Sequence, residues 1–253
     1  MISAVGLDAL GAEALERLHD ADLKTECIVT DRAHPTGTVE VTLNANGQPG
    51  YTIVENVAWD FLPQSRTASE LAARADAICF GTLAQRSGTS RATIRFLLQQ
   101  ASRKCLRILD VNLRAPFIDA AVVRESCALA DALKFNDEEL TQLAQMLGWN
   151  ADEDALFAEL FARYRFHLIA LTRGARGATL VTQGERIDFP AEPPATLADT
   201  VGAGDAFTAS MTLGWLRKLP LRDIGVIASR VASHVCSQKG AMADMQRFRG
   251  TFA

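Results

Sequence analysis

The 253-residue chain has no run of apolar residues approaching the ~18 that a membrane span needs. Its five cysteines, Cys27, Cys79, Cys105, Cys127 and Cys236, are odd in number and include no Cys-x-x-Cys pair. Neither a disulfide framework nor a zinc site is indicated; small buried thiols in a reducing compartment are expected. The four histidines, His19, His34, His167 and His234, show no metal-ligand spacing. Basic residues are not in excess: 26 Lys and Arg stand against 30 Asp and Glu, a net charge of -4. That balance argues against a nucleic-acid partner, although a small anion needs only a local field. No segment is of low complexity, and no period of about 20–50 residues repeats, which excludes a solenoid. No basic region followed by an apolar one stands near Met1, so the sequence predicts no signal peptide and a soluble, cytoplasmic protein.

Apolar residues make up 48 % of the chain, ample for a sizeable core. Met1 to Gly6 reads as the last part of a strand. Ala9 to Leu18 reads as a helix, with Leu10, Ala14, Leu15 and Leu18 on one face. From Thr38 the period becomes two: Val39, Val41 and Leu43 alternate with Glu40, Thr42 and Asn44, and Asn46-Gly47 is a strong turn signal. Tyr51, Ile53 and Glu55 then alternate with Thr52 and Val54, predicting an antiparallel hairpin with one wet face. After about residue 70, short apolar runs at Ala77–Phe80, Ile108–Val111, Leu133–Phe135 and Leu168–Leu171 lie between helix-period stretches. Such alternation predicts a mostly parallel sheet covered by helices. Ala178–Thr182 and Arg186–Phe189 meet at Gly184 as a second hairpin, and helices over roughly Gly204–Arg217 and Leu221–Gln238 close the chain. The expectation is an α/β body with a small β excursion over about 25–58.

The most informative stretch is Asp199-Thr200-Val201-Gly202-Ala203-Gly204-Asp205-Ala206-Phe207. It follows a proline-rich loop, Pro190 to Pro194, and opens an apolar helical pattern. Two glycines at a helix start expose backbone N–H groups and the positive end of the helix dipole, an anion site. A carboxylate on the same turn would repel a bound phosphate. The conflict resolves if Asp205 faces an acceptor hydroxyl while the N–H groups face a phosphoryl group in transfer. The alternative is a capped helix in which Asp205 is merely an acidic first-turn residue. A dinucleotide fingerprint would need a small residue where Phe207 stands, and no Gly-Lys-Ser/Thr of a P-loop occurs.

The full string, DTVGAGDAF, resembles the C-terminal signature of the ribokinase-like (PfkB-type) carbohydrate kinases. Other segments resemble that family in its order: Val5-Gly6-Leu7-Asp8-Ala9-Leu10-Gly11, Asp110-Val111-Asn112-Leu113-Arg114, Asn136-Asp137-Glu138-Glu139, Thr172 to Gly177, and Gln238-Lys239-Gly240-Ala241. Pro35-Thr36-Gly37 and Val57-Ala58-Trp59-Asp60 are most similar to the fructokinase branch. The resemblance implies a three-layer α/β/α sandwich, a single kinase domain over 1–253, with a β lid. It implies that Asp205 is the general base toward a sugar hydroxyl and that Gly202, Ala203 and Gly204 form the anion hole. Asn136 and Glu139 would serve the phosphates of ATP and a hydrated Mg²⁺; a helix N-cap is the competing reading, since Asn followed by Glu three residues later is a capping signature. Thr172, Gly174 and Gly177 would line the nucleotide groove, or simply make a tight turn. Ser229 and Gly240 would lie near the nucleotide. Asp199 and Val201 match positions that bind a monovalent cation such as K⁺. Arg114 would orient substrate or phosphate, unless it is a solvated surface residue.

The family's usual opening strand, loop and helix before the Val5–Gly11 segment are not matched here. That region, on the order of 40 residues, carries much of the sugar site, so a sheet short of one strand is expected. The resemblance therefore implies an ATP-dependent sugar kinase, with fructose the first candidate acceptor. Ribose, 2-keto-3-deoxygluconate or a nucleoside are the alternatives, as is a nucleotide-binding pseudokinase. The lid hairpin implies a homodimer.

Overall fold

The computed structural model describes residues 1–43, 49–248 and 250–251. The Asn46-Gly47 turn lies outside the described residues. Contacts divide the chain into two compact units, Met1–Ala75 with Leu83–Cys105, and Asp76–Thr82 with Leu106–Ala253.

In the first unit, β1 (Ile2–Gly6) leads through α1 (Ala9–Asp20) to β2 (Cys27–Asp31), and the two strands pair in parallel from Ile2↔Cys27 to Gly6↔Asp31. Asp8 starts the helix: its Oδ1 accepts the Gly11 N–H at 2.8 Å, a cap that satisfies a first-turn donor. The same carboxylate accepts the Thr36 N–H at 2.8 Å and the Thr36 hydroxyl at 2.7 Å, tying the Pro35–Gly37 loop to the helix start. The hairpin is β3 (Val39–Leu43) with β4 (Pro49–Ile53), antiparallel from Val39↔Ile53. The β excursion expected over 25–58 is thus two objects. Cys27-Ile28-Val29 is a continuous apolar run without alternation, the pattern of a parallel strand, and it joins β1 rather than the hairpin.

A 3-10 turn over Ala58–Phe61 follows, then α2 (Arg66–Arg74) and α3 (Gly88–Gln100). Ser90 and Thr93 anchor α3 to that turn. The Ser90 hydroxyl accepts the Leu62 N–H at 3.0 Å and donates to the Trp59 carbonyl at 2.7 Å, and the Thr93 hydroxyl donates to the Leu62 carbonyl at 2.7 Å. Beside them Arg86 grips Asp60 with two 2.8 Å bonds, both side chains about 5–6 % exposed. Arg86 also donates to the Val54 carbonyl at 2.6 Å and lies 4.1 Å from the centroid of the Trp59 ring.

The second unit is built on a six-stranded sheet in the order β10-β9-β8-β7-β6-β5. Its strands are β5 (Ala77–Gly81), β6 (Leu106–Asp110), β7 (Ala132–Asn136), β8 (Leu168–Thr172), β9 (Ala178–Val181) and β10 (Arg186–Phe189). β5 to β8 run parallel; β9 and β10 are antiparallel, as the Gly184 turn predicts. The helices α4 (Ala120–Leu129), α5 (Asp137–Leu147) and α6 (Glu153–Arg163) connect the parallel strands. α7 (Ala203–Leu216) and α8 (Leu221–Cys236) pack Phe207, Met211, Ile224 and Ala228 against Ile108, Leu168, Ala170 and Leu180 of the sheet. β6, β7 and β8 end at Asp110, Asn136 and Thr172, so the segments that follow them in sequence gather at one edge of the sheet, where ligands of parallel sheets bind.

Replacing Arg86 with Met leaves the buried Asp60 carboxylate without its guanidinium. We expect a loss of about 3–5 kcal/mol, measured by urea unfolding; a loss under about 1 kcal/mol, the value of a surface pair, would show that the pair is not desolvated.

Candidate active site

The start of α7 is shaped by Gly202, its N-cap, with φ of 83°. Left-handed backbone favours glycine, and a Cβ there would lie 2.9 Å from the Ala241 carbonyl oxygen. First-turn N–H groups have no intrahelical acceptor. That of Ala203 turns back to the Thr200 carbonyl at 3.3 Å, while those of Gly202 and Gly204 have no protein acceptor among the described residues. Asp205 stands on this turn and keeps contact with solvent. Partial desolvation raises its carboxyl above the usual Asp value, and the Asp110 charge raises it further; Lys134 and Arg114 pull it down. The helix start, the Asp205 carboxylate and Arg114 are therefore near one another.

Beneath the turn lies a buried polar group. Lys134 Nζ donates to Asp110 Oδ1 at 3.0 Å, with side chains 7 % and 9 % exposed, and the Thr208 hydroxyl lies 2.8 Å from Asp110 Oδ2. Asp110 and Lys134 are register partners on β6 and β7. A Cβ on Gly204 would sit 3.1 Å from Lys134 Nζ.

Asn136 and Glu139 form the capping box of α5. Asn136 Oδ1 accepts the Glu139 N–H at 2.8 Å, and Glu139 Oε2 accepts the Asn136 N–H at 2.9 Å. Glu139 Oε1 accepts the Leu113 N–H at 2.7 Å, so the same residue also holds the segment leading to Arg114. Burial raises the Glu139 carboxyl; the two backbone donors and Lys134 oppose that rise. Thr172 ends β8, and the turn after it needs glycine at 177, where φ is 95° and a Cβ would lie 1.9 Å from the Phe189 carbonyl oxygen. Gly174 also has positive φ, 54°. Asp199 joins three of the expected positions: Oδ1 accepts the Val201 N–H at 3.0 Å and Oδ2 accepts the Gly240 N–H at 3.1 Å. These two donors hold its carboxyl below the usual range. Ser229, on α8, lines a groove of about 310 Å³ with Phe189, Pro190, Ala191, Glu192, Pro193 and Val226.

This set of segments, in this order at one sheet edge, has counterparts. The pattern of the pfkB family carbohydrate kinases matches residues 1–247. The chain belongs to that family.

An uncharacterized sugar kinase from Pyrococcus horikoshii is 28 % identical over 255 residues, 98 % of this chain and 77 % of its own length. The crystal structure of that kinase in complex with ATP, 27 % identical, superposes with a TM-score of 0.79 over 95 % of this chain and 77 % of that one. A fructokinase from Rhizobium leguminosarum bv. trifolii is 28 % identical over 210 residues, 81 % of this chain and 62 % of its own length. A pfkB kinase is a phosphotransferase that binds ATP and a sugar or nucleoside acceptor, and its ribokinase-like fold is the α/β architecture described above. Among the described residues, no helix is long and apolar enough to cross a membrane.

Sequence reading of this pfkB chain missed Lys134 and Thr208. A signal for the first was present: Lys134 interrupts the apolar strand Ala-Leu-Lys-Phe-Asn, and a lysine amid such a run is either misplaced or paired. Thr208, four residues after Gly204, carried none. Glu139→Gln should destabilise the chain by about 1–3 kcal/mol, because an amide presents a donor to one of two buried N–H groups. Thermal and urea unfolding measure this, and an unchanged midpoint would contradict the double acceptor role.

Proposed function

We propose that the chain is an ATP-dependent sugar kinase of fructokinase type, with Asp205 as its general base. The observation that carries this reading is the placement of a carboxylate of raised pKa on the first turn of α7, beside backbone donors without protein acceptors. A sugar hydroxyl oxygen attacks the γ-phosphorus of ATP. The new O–P bond forms as the bond to the bridging β,γ-oxygen breaks, ADP leaves with that electron pair, and the hydroxyl proton passes to Asp205. The N–H groups of Gly202, Ala203 and Gly204 stabilise charge on the transferring group; the Ala203 donor must first leave the Thr200 carbonyl. Arg114 adds positive charge on the same side. Thr172, Gly174, Gly177, Ser229 and Gly240 hold the nucleotide, with adenine in the groove beside Ser229.

Among the described residues no group of three or more His, Cys, Asp or Glu could hold a metal ion. Both Glu139 oxygens already accept backbone N–H groups, which does not fit direct ligation. Glu139 would therefore hold a Mg²⁺ ion only through water, and the ion, when bound, would supply charge neutralisation at the ATP phosphates. By the same reasoning Asp199, whose two oxygens accept the Val201 and Gly240 N–H groups, would serve a K⁺ site only through water, with the Val201 carbonyl as the direct ligand. Five free cysteines support a reducing, cytoplasmic setting. The β3–β4 hairpin, bonded only to itself among the described strands and with Val39 53 % exposed, supports a homodimer formed through this lid. Light scattering at micromolar concentration should give twice the chain mass; a monomer would exclude the lid interface.

Fructose is favoured by the Rhizobium similarity and by the Pro35–Gly37 and Val57–Asp60 segments. A coupled ADP-release assay with fructose, ribose, 2-keto-3-deoxygluconate and a nucleoside should show the highest kcat/KM with fructose. Asp205→Asn should keep the melting temperature and ATP affinity but lower turnover ~10²–10⁴-fold. In the parent, kcat should fall as pH drops through the raised Asp205 pKa, since protonation removes the base; the asparagine variant should lack this acid limb. Retention of more than a tenth of parent turnover would remove Asp205 as the base.

A further inference from the structure

The buried group under α7 is used by no step above. Lys134 lies between Leu133 and Phe135, both 0 % exposed, and alternation along β7 puts its side chain on the opposite face from theirs. Strands β6 and β7 are already joined by their ladder, so cohesion of the sheet does not require an ion pair there; apolar side chains at both positions would serve as well. What the pair adds is reach. Lys134 occupies Asp110 Oδ1, and the other oxygen meets the Thr208 hydroxyl at 2.8 Å. That hydroxyl is also 3.0 Å from the Gly204 carbonyl oxygen. One hydroxyl proton faces two acceptors, of which the carboxylate is the stronger. The Gly204 carbonyl belongs to the peptide whose N–H is that of Asp205. With that proton on Asp110, the tie from the sheet reaches α7 at Thr208 itself, one turn beyond Gly204 and the Asp205 peptide.

We propose that Asp110, Lys134 and Thr208 are positioning residues, a buried strut that fixes the first turn of α7 and so aims the Asp205 carboxylate and the adjacent N–H groups. The proposal rests on Asp205 being the base. Phosphoryl transfer is mainly alignment, where a displacement near 1 Å can cost about a hundredfold in rate. A helix start anchored only by apolar packing could slide by such an amount; one anchored through a charged hydrogen bond has a defined register. The charges facing Asp205 are Asp110 on β6, Lys134 on β7 and Arg114 in the loop after β6. Cys79 on β5, an exposed residue, adds none: desolvation and the Asp110 and Asp205 charges raise its thiol to about 12.

Thr208→Val keeps the size and removes the hydroxyl. We expect kcat per folded molecule to fall about tenfold or more with KM for MgATP little changed, and Thr208→Ser to restore it to within about threefold. A merely structural role would lower the melting temperature and leave kcat intact. The double variant Asp110→Asn with Lys134→Gln keeps a neutral hydrogen-bonded pair. Since Asp110 raises the Asp205 carboxyl more than Lys134 lowers it, the acid limb of kcat should move to lower pH. A kcat in Thr208→Val within about threefold of the parent overturns the strut, even if Asp205→Asn is inactive. Should Thr208→Val not fold, Thr208→Ala takes its place, and a kcat within about threefold of the parent overturns the proposal. Undiminished turnover in Asp205→Asn is the separate failure of the base assignment itself, and takes the strut with it.

Discussion

An ammonium in the middle of β7 and a carboxylate at the end of β6, both held out of water, set the terms for the second unit. Desolvating each of Lys134 and Asp110 costs several kcal/mol, and their attraction offsets this only when geometry is good. Register pairing of residues 110 and 134 supplies that geometry. The two strands must therefore keep this register, and the helix that follows residue 202 must present Thr208 where Asp110's second oxygen finds a donor. Nearby, Glu139 repeats the logic with backbone partners: a buried carboxylate whose two oxygens close α5 and hold the Leu113 segment.

The parallel strands of the second unit were legible because buried strands read as short apolar runs between turn residues, and each expected run is a strand. Less legible was the first seventy-odd residues' order. Alternation identified β3 and β4, but β2 has no alternation to find, and nothing local says that a run such as Cys27-Ile28-Val29 pairs in parallel with a strand some 25 residues earlier. Parallel pairing is a long-range choice that only tertiary contacts make.

Backbone chemistry in the site was the easier half to read. Glycines at positive φ, a helix start with unpaired donors and a capping box are local, and local sequence specifies them. Gly202, Gly177, Asn136 and Glu139 all stand in the conformations their neighbours demand. Side chains that meet across the fold were harder. Asp110, Lys134 and Thr208 are drawn from three elements, separated by 24 and 98 residues in the hydrogen bonds Asp110 makes. A buried charge announces itself in a strand only after the strand has been placed.

Asp199 has a further consequence. Its two oxygens accept N–H groups from Val201 and from Gly240, donors that stand 2 and 41 residues from it along the chain. The turn at 240 and the loop leading into α7 are thereby one thermodynamic element. Coupling of this sort is reciprocal: whatever orders the loop from 199 to 204 also favours the Gly240 hydrogen bond to Asp199. An anion held at the helix start, as proposed for the phosphoryl group, would then slow amide-proton exchange in the turn at 240.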